Sequence, residues 1–154
     1  MIFITTGTSL PHDELIEKVD KLISDGLISD VVYAQIGSST YIPKNMKWLR
    51  LVGNMNEVYK RADIVISNCG AGTIMENVTH GRKLIVIQNP HITGGHEWEL
   101  VSKMESFECL IWCKDINNIL DCIEEARTKI FNKFIPDKFD ISLITKLIGK
   151  EEET

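Results

Sequence analysis

Short runs of apolar, largely β-branched residues alternate along this chain with segments whose apolar positions recur every three or four residues. Ile2 to Thr5 is the first run, and it stops at Gly7. From Asp13 onward Leu15, Ile16, Val19, Leu22 and Ile23 share one helical face, and Gly26 stands where a left-handed C-cap is expected. Val31 to Ile36 reads as a second strand and Trp48 to Val52 as a third. Asn54 is placed to cap a short helix reaching Lys60. Ile64 to Ile66 is a fourth strand, followed by helical spacing from Ala71 to His80 and a stop at Gly81. Leu84 to Ile87 is a fifth strand, and a loop with two glycines precedes a helix from His96 to Ser106. Cys109 to Trp112 forms the sixth strand, Asp115 to Asn132 a long helix, and Phe139 to Ile148 a last helix before an acidic tail.

Strands alternating with helices predict an α/β fold with a mostly parallel sheet and crossover helices. Runs that are apolar throughout, such as 64–66 and 84–87, suit strands covered on both faces. In such sheets ligands lie beyond the carboxyl ends of the strands. The places to look are therefore 7–9, 37–39, 68–73 and 89–96.

At 154 residues the chain is one domain long, and 44% hydrophobic with 25% charged residues is an ordinary globular balance. The formal charge of -5 gives no electrostatic footprint for nucleic acid, so no nucleic-acid partner is expected. No apolar run approaches the roughly 20 residues of a membrane span, and the start lacks a signal peptide's basic region. The expected location is cytoplasmic. Cys69, Cys109, Cys113 and Cys122 lack zinc-type spacing and read as reduced core thiols.

The most informative segment runs Ile64-Val-Ile-Ser-Asn-Cys-Gly-Ala-Gly-Thr-Ile-Met-Glu76. A strand enters a glycine-bearing turn, and the turn opens a helix. A helix start suits a diphosphate, and Gly70 and Gly72 let it approach the backbone. Thr73 offers a hydroxyl to a phosphate oxygen, and Glu76 a carboxylate to the ribose hydroxyls. The same residues also fit a plain β–α turn with Glu76 as a helix-start acid. It is neither a Walker A loop nor a proper GxGxxG. A second candidate is Gln88 to Glu99, whose residues fit either a site or a flexible connector. Its His91, His96, Glu97 and Glu99 match no standard metal motif, so no metal is expected. Trp98 is expected to pack rather than stack on a ligand. Asp13 is expected to cap the first helix, with His12 exposed, and His80 to sit against the next C-terminus. Ser39 and Tyr41 are minor candidates for a donor or partner contact.

The 64–76 segment resembles the donor-nucleotide signature in the C-terminal half of GT-B glycosyltransferases. With Phe3-Ile-Thr-Thr-Gly-Thr8, Asp13-Glu-Leu-Ile16, Ala34-Gln-Ile-Gly37, Tyr41, Pro43, Ala62 to Ser67, Gly70-Ala-Gly-Thr73, Glu76 and His96, the resemblance extends over about residues 1–125. The chain is similar to the soluble catalytic subunits of two-part UDP-N-acetylglucosamine transferases of lipid-linked oligosaccharide synthesis. It is also similar to the small subunits of two-part bacterial exopolysaccharide glycosyltransferases. Both are like the C-terminal domain of glycosyltransferase family 28.

The resemblance implies a single Rossmann-like domain over 1–135, equivalent to a donor-binding half. It leaves 136–154 as a C-terminal helix and tail for partner docking. It implies transfer of a sugar, N-acetylglucosamine first, from UDP to a polyprenyl-diphosphate-linked acceptor. A non-catalytic UDP-sugar-binding module, or glucuronate or another hexose as donor sugar, is the alternative. The implied partner is a membrane-anchored acceptor-binding subunit, which would place the chain at the membrane periphery; a homo-oligomer is also open. No cofactor is implied beyond the UDP-sugar substrate. Gly7 and Thr8 would face the donor phosphates, and Val52, Gly53, Asn54 and Met55 would read the uracil through backbone groups. Gly70, Ala71, Gly72 and Thr73 would receive the diphosphate and Glu76 the ribose. His96 and Glu97 would face the transferred sugar; no catalytic base is assigned. Two departures stand out: Asn68 where relatives commonly carry His, and Glu97 where they commonly carry Gln. Phe139, Ile141, Leu143, Ile144, Leu147 and Ile148 spread over more than one helix face, so that helix either docks a partner or folds back on the domain.

Overall fold

A computed structural model describes residues 1–7, 10–68, 70–90 and 96–136, with His96 as backbone only. The predicted helix over 139–148 lies outside the described residues, as do Thr8, Cys69 and His91. Six parallel strands form one sheet in the order β3-β2-β1-β4-β5-β6. They are β1 (Ile2–Thr5), β2 (Val32–Gln35), β3 (Lys47–Leu49), β4 (Ile64–Asn68), β5 (Leu84–Ile87) and β6 (Ile111–Cys113). The expected α/β fold with a parallel sheet is the one found.

Each strand's alternation divides its side chains between two cores. Ile2, Ile4, Ile64, Ile66, Ile85 and Ile87 face α1 (Asp13–Ser24) and α5 (Ile119–Thr128). Phe3, Val65, Leu84 and Val86 face α2 (Met55–Arg61), α3 (Ala71–Val78) and α4 (His96–Ser106). β1, β4 and β5 are buried at every position because helices cover both faces.

α1 ends in a Schellman motif: Gly26, at φ +75°, donates to Ile23, and Leu27 donates to Leu22. The Asn54 side chain accepts from the Glu57 amide and caps α2, as expected. At the β6 edge the outward Trp112 amide donates to the Glu105 carboxylate at 2.9 Å, which blocks pairing with another strand.

Several local expectations change. The third strand is Lys47–Leu49 rather than Trp48 to Val52, because the Val52 amide bonds instead to the Gln35 side chain. The sixth strand is shifted to Ile111–Cys113. The last described helix runs from Ile119 to Thr128, after a 3-10 turn at Ile116–Asn118, rather than from Asp115 to Asn132. Beyond it the chain turns extended, and Asn132 and Phe134 donate to Glu108 and Val78, tertiary bonds that outcompete another helical turn. Asp13 does not cap α1: the cap residue is His12, without a side-chain capping bond. Asp13 instead accepts from Ser39 and from Thr40 at 2.6 Å, tying α1 to the loop after β2.

Candidate functional site

The strand order makes the chain turn one way after β1 and the other way after β4. The crevice between these strands, beyond their carboxyl ends, is therefore the expected ligand position. Gly7 emerges from β1 into it, exposed and at φ +78°, a left-handed conformation that favours glycine. Gly70 emerges from β4 as the N-cap of α3.

The start of α3 is unusual in what it lacks. Gly70 has no side chain to cap the first turn, and that turn contains no acid. The positive end of its dipole therefore faces no acidic side chain of its own first turn. Glu76 is the sixth residue of the helix, half-buried, so the reading of Glu76 as a helix-start acid fails. Gly70 and Gly72 are both exposed, and a Cβ added at either meets nothing within 4 Å among the described residues. Packing does not demand glycine at these positions.

α3 is supported from α2. The Tyr59 hydroxyl is pushed up in pKa mainly by burial, with the Thr73 and Asn77 side chains beside it acting in the opposite direction. The Thr73 carbonyl accepts from the Asn77 side-chain amide at 2.8 Å. The Arg82 guanidinium lies over the Tyr59 ring at 5.6 Å.

Next to the crevice, the Gln35 side chain pins the loop after β3. It accepts from the Val52 amide at 2.8 Å and donates to the Thr5 hydroxyl at 3.1 Å. The Val52 amide is thus occupied, leaving its carbonyl as the group that residue can offer a base. Gly53 and Asn54 are exposed beside it.

At the far side α4 begins with His96, and its first turn carries Glu97 and Glu99. One Glu97 carboxylate oxygen is buried with no partner among the described residues. Such a group is costly unless something hydrogen-bonds to it. Trp98 packs as expected, stacked on Trp112 at 5.3 Å.

Several residues carry a role the sequence did not suggest. His12 is buried rather than exposed, with Nδ1 2.8 Å from Asn68 Oδ1. Asn89, fully buried, donates to the Pro11 carbonyl at 3.1 Å. Their common signal is readable in hindsight: polar residues (Thr5, Gln35, Asn68, Asn89) close otherwise apolar strand runs. Ser39 and Tyr41 hold the 37–46 loop instead of facing a ligand. Tyr41 donates to Asp20 at 2.6 Å, and that bond pushes its pKa up to about 12. His80 bonds the Glu76 carbonyl at 2.7 Å through Nδ1, a C-terminal contact as expected. Cys109, Cys113 and Cys122 are free and buried.

A model of the glycosyltransferase family 28 C-terminal domain matches residues 1–106. The chain belongs to this family. The match ends within α4, so it covers β1 to β5 and every element around the crevice. Among curated relatives, the mouse UDP-N-acetylglucosamine transferase subunit ALG13 is 29% identical over 122 residues, 72% of this chain and 10% of that protein. The human subunit is 28% identical over 138 residues, 82% of this chain and 12% of that protein. The family 28 chain thus spans about a tenth of the length of these relatives. Among solved structures, the NMR structure of ALG13 superposes with a TM-score of 0.60 at 17% identity, covering 96% of this chain and 94% of that one. The crystal structure of Acinetobacter baumannii MurG gives 0.61 at 16% identity, covering 96% of this chain and 44% of that one. These two likenesses are of fold. The second places the family 28 chain against less than half of a larger chain.

Proposed function

We propose that this family 28 domain binds a UDP-sugar and forms the donor half of a glycosyltransferase. The donor is UDP-N-acetylglucosamine, and the acceptor a polyprenyl-diphosphate-linked sugar presented by a membrane-anchored second subunit. One observation carries the reading: the acid-free start of α3, without a side-chain capping bond, and two exposed glycines at which an added Cβ meets nothing within 4 Å among the described residues. The names of the mouse and human relatives supply the sugar and the word subunit.

In this scheme the diphosphate lies between Gly7, Thr8 and the turn Gly70 to Thr73. Uracil faces Val52, Gly53 and Asn54, its N3–H reaching a backbone carbonyl. Glu76 accepts the ribose hydroxyls, and His96 and Glu97 face the sugar. Departure of UDP builds negative charge on the β-phosphate. Preorganised amides and the α3 dipole stabilise that charge without reorganising. The acceptor hydroxyl must lose a proton as the glycosidic bond forms. No residue around the crevice is assigned as that base.

The test is calorimetry of the chain with UDP, UDP-N-acetylglucosamine and UDP-glucuronate, then turnover with the co-expressed membrane subunit. Binding of UDP and of the N-acetylglucosamine donor, with turnover only in the pair, supports the proposal. Binding with no turnover in the pair favours a non-catalytic module. Absence of UDP binding at millimolar concentration removes the reading altogether. In the same assays a chain truncated after Pro136 is expected to keep UDP binding and lose the partner.

A further inference from the structure

The floor of the crevice is polar and almost entirely buried. Thr6, His12, Gln35, Asn68 and Asn89 are each at most 8% exposed. Buried polar groups lower stability unless they are bonded, and apolar side chains would close these strands more simply. Their arrangement is directional. The Asn68 side-chain amide donates to the Thr6 carbonyl at 2.7 Å. Its other end, Oδ1, therefore faces the imidazole, and His12 Nδ1 must carry the proton it shares at 2.8 Å. The chain of bonds runs from His12 through Asn68 to Thr6.

Each partner sits at a different wall of the crevice. Thr6 immediately precedes Gly7 of the loop after β1. The His12 carbonyl accepts from Leu15 and Ile16 and so starts α1. The Asn68 carbonyl accepts from the Gly70 amide at 2.9 Å and from the Ser67 hydroxyl at 2.9 Å. One asparagine thus ties together the β1 loop, the start of α1 and the turn that opens α3. No hydrogen bond within the sheet ladder does this, because the pairing of β1 with β4 runs from Ile2 and Ile64 and ends at Thr5 and Ser67.

We propose that His12 and Asn68 are positioning residues. They hold the Gly7 loop and the Gly70–Thr73 turn at the separation a nucleoside diphosphate needs. This rests on the reading that these two segments face the donor phosphates. Neither residue touches the base in this scheme, so their loss weakens phosphate recognition and spares the nucleoside.

The experiment compares UDP and uridine binding by calorimetry in the full chain, with thermal melting as the control for folding. His12→Leu and Asn68→Leu are expected to lose about tenfold in UDP affinity, the size of one net buried hydrogen bond, with uridine affinity nearly unchanged. His12→Asn can place an amide N–H where Nδ1–H stands and should recover UDP binding. His12→Gln presents its amide where Nε2 stands and should not. The double variant His12→Leu with Asn68→Leu should be little worse than either single one, since both break the same chain of bonds. If the apolar variants fail to fold, the Asn-against-Gln comparison at position 12 still decides. Parallel loss of UDP and uridine, or an unchanged ratio in folded variants, overturns the positioning role alone. Failure of the unmodified chain to bind UDP overturns the donor reading beneath it.

Discussion

Replacing Gly72 with Ala should move stability and ligand affinity in opposite directions. Gly72 is the second residue of α3 and is exposed. Its φ is not positive, and a Cβ there meets nothing within 4 Å among the described residues. The native backbone therefore accepts alanine without strain. Glycine in a helix interior is about 1 kcal/mol less favourable than alanine. In a first turn roughly half of that is a fair expectation, so Gly72→Ala gains about 0.5 kcal/mol. For a domain of this size that raises Tm by about 1–2 °C. In the proposed complex the same Cβ stands where the diphosphate approaches the α3 amides. UDP affinity should then fall by about tenfold, or about 1.4 kcal/mol, and further for Gly72→Val. Differential scanning calorimetry and UDP titration on one preparation measure both. A Tm rise with unchanged UDP affinity would show that glycine is not there for the ligand. A Tm fall would refute the claim that the protein itself leaves this Cβ unhindered.

The other expectations address separate parts of the scheme. Glu76→Ala should weaken UDP by about 1.5–3 kcal/mol while barely affecting a 2′,3′-dideoxyuridine diphosphate; equal losses would remove the ribose contact. Glu97→Ala and His96→Ala should spare UDP and reduce UDP-sugar turnover in the assembled pair, and a loss of UDP itself would contradict that assignment. Asp20 is buried, which raises its carboxyl pKa. Hydrogen bonds from Tyr41 and from the Lys44 and Asn45 amides outweigh this and hold it below the ordinary 3.8. A lowered folded pKa contributes stability above the unfolded value, and that contribution is lost as pH falls through the folded one. Asp20→Asn should therefore cost about 1.5–3 kcal/mol in urea unfolding at pH 7, with a difference that shrinks steadily below pH 3.8. A pH-independent difference would mean that the charge is not what holds the loop.

Much of the architecture was legible because it rests on periodicity and on residues that act locally. Unbroken apolar runs at 64–66 and 84–87 demanded cover on two faces, and helical spacing between the runs supplied it. Gly26 and Asn54 acted as written, since a left-handed cap and an N-cap depend on only a few adjacent residues. The glycine turn 70–73 was readable for the same reason. What sequence could not decide were roles set by partners far along the chain. Asp13 looked like a cap, yet its carboxylate is claimed by Ser39 and Thr40, some 26 residues away. His12 looked exposed until β4 brought Asn68 to it across 56 positions. The 115–132 helix was cut at Thr128 because bonds from Asn132 to Glu108 and from Phe134 to Val78 exist only after the sheet has formed. A short-range pattern specifies which face a residue takes. Which hydrogen bond a buried polar group makes is settled by whichever distant backbone the fold brings within about 3 Å.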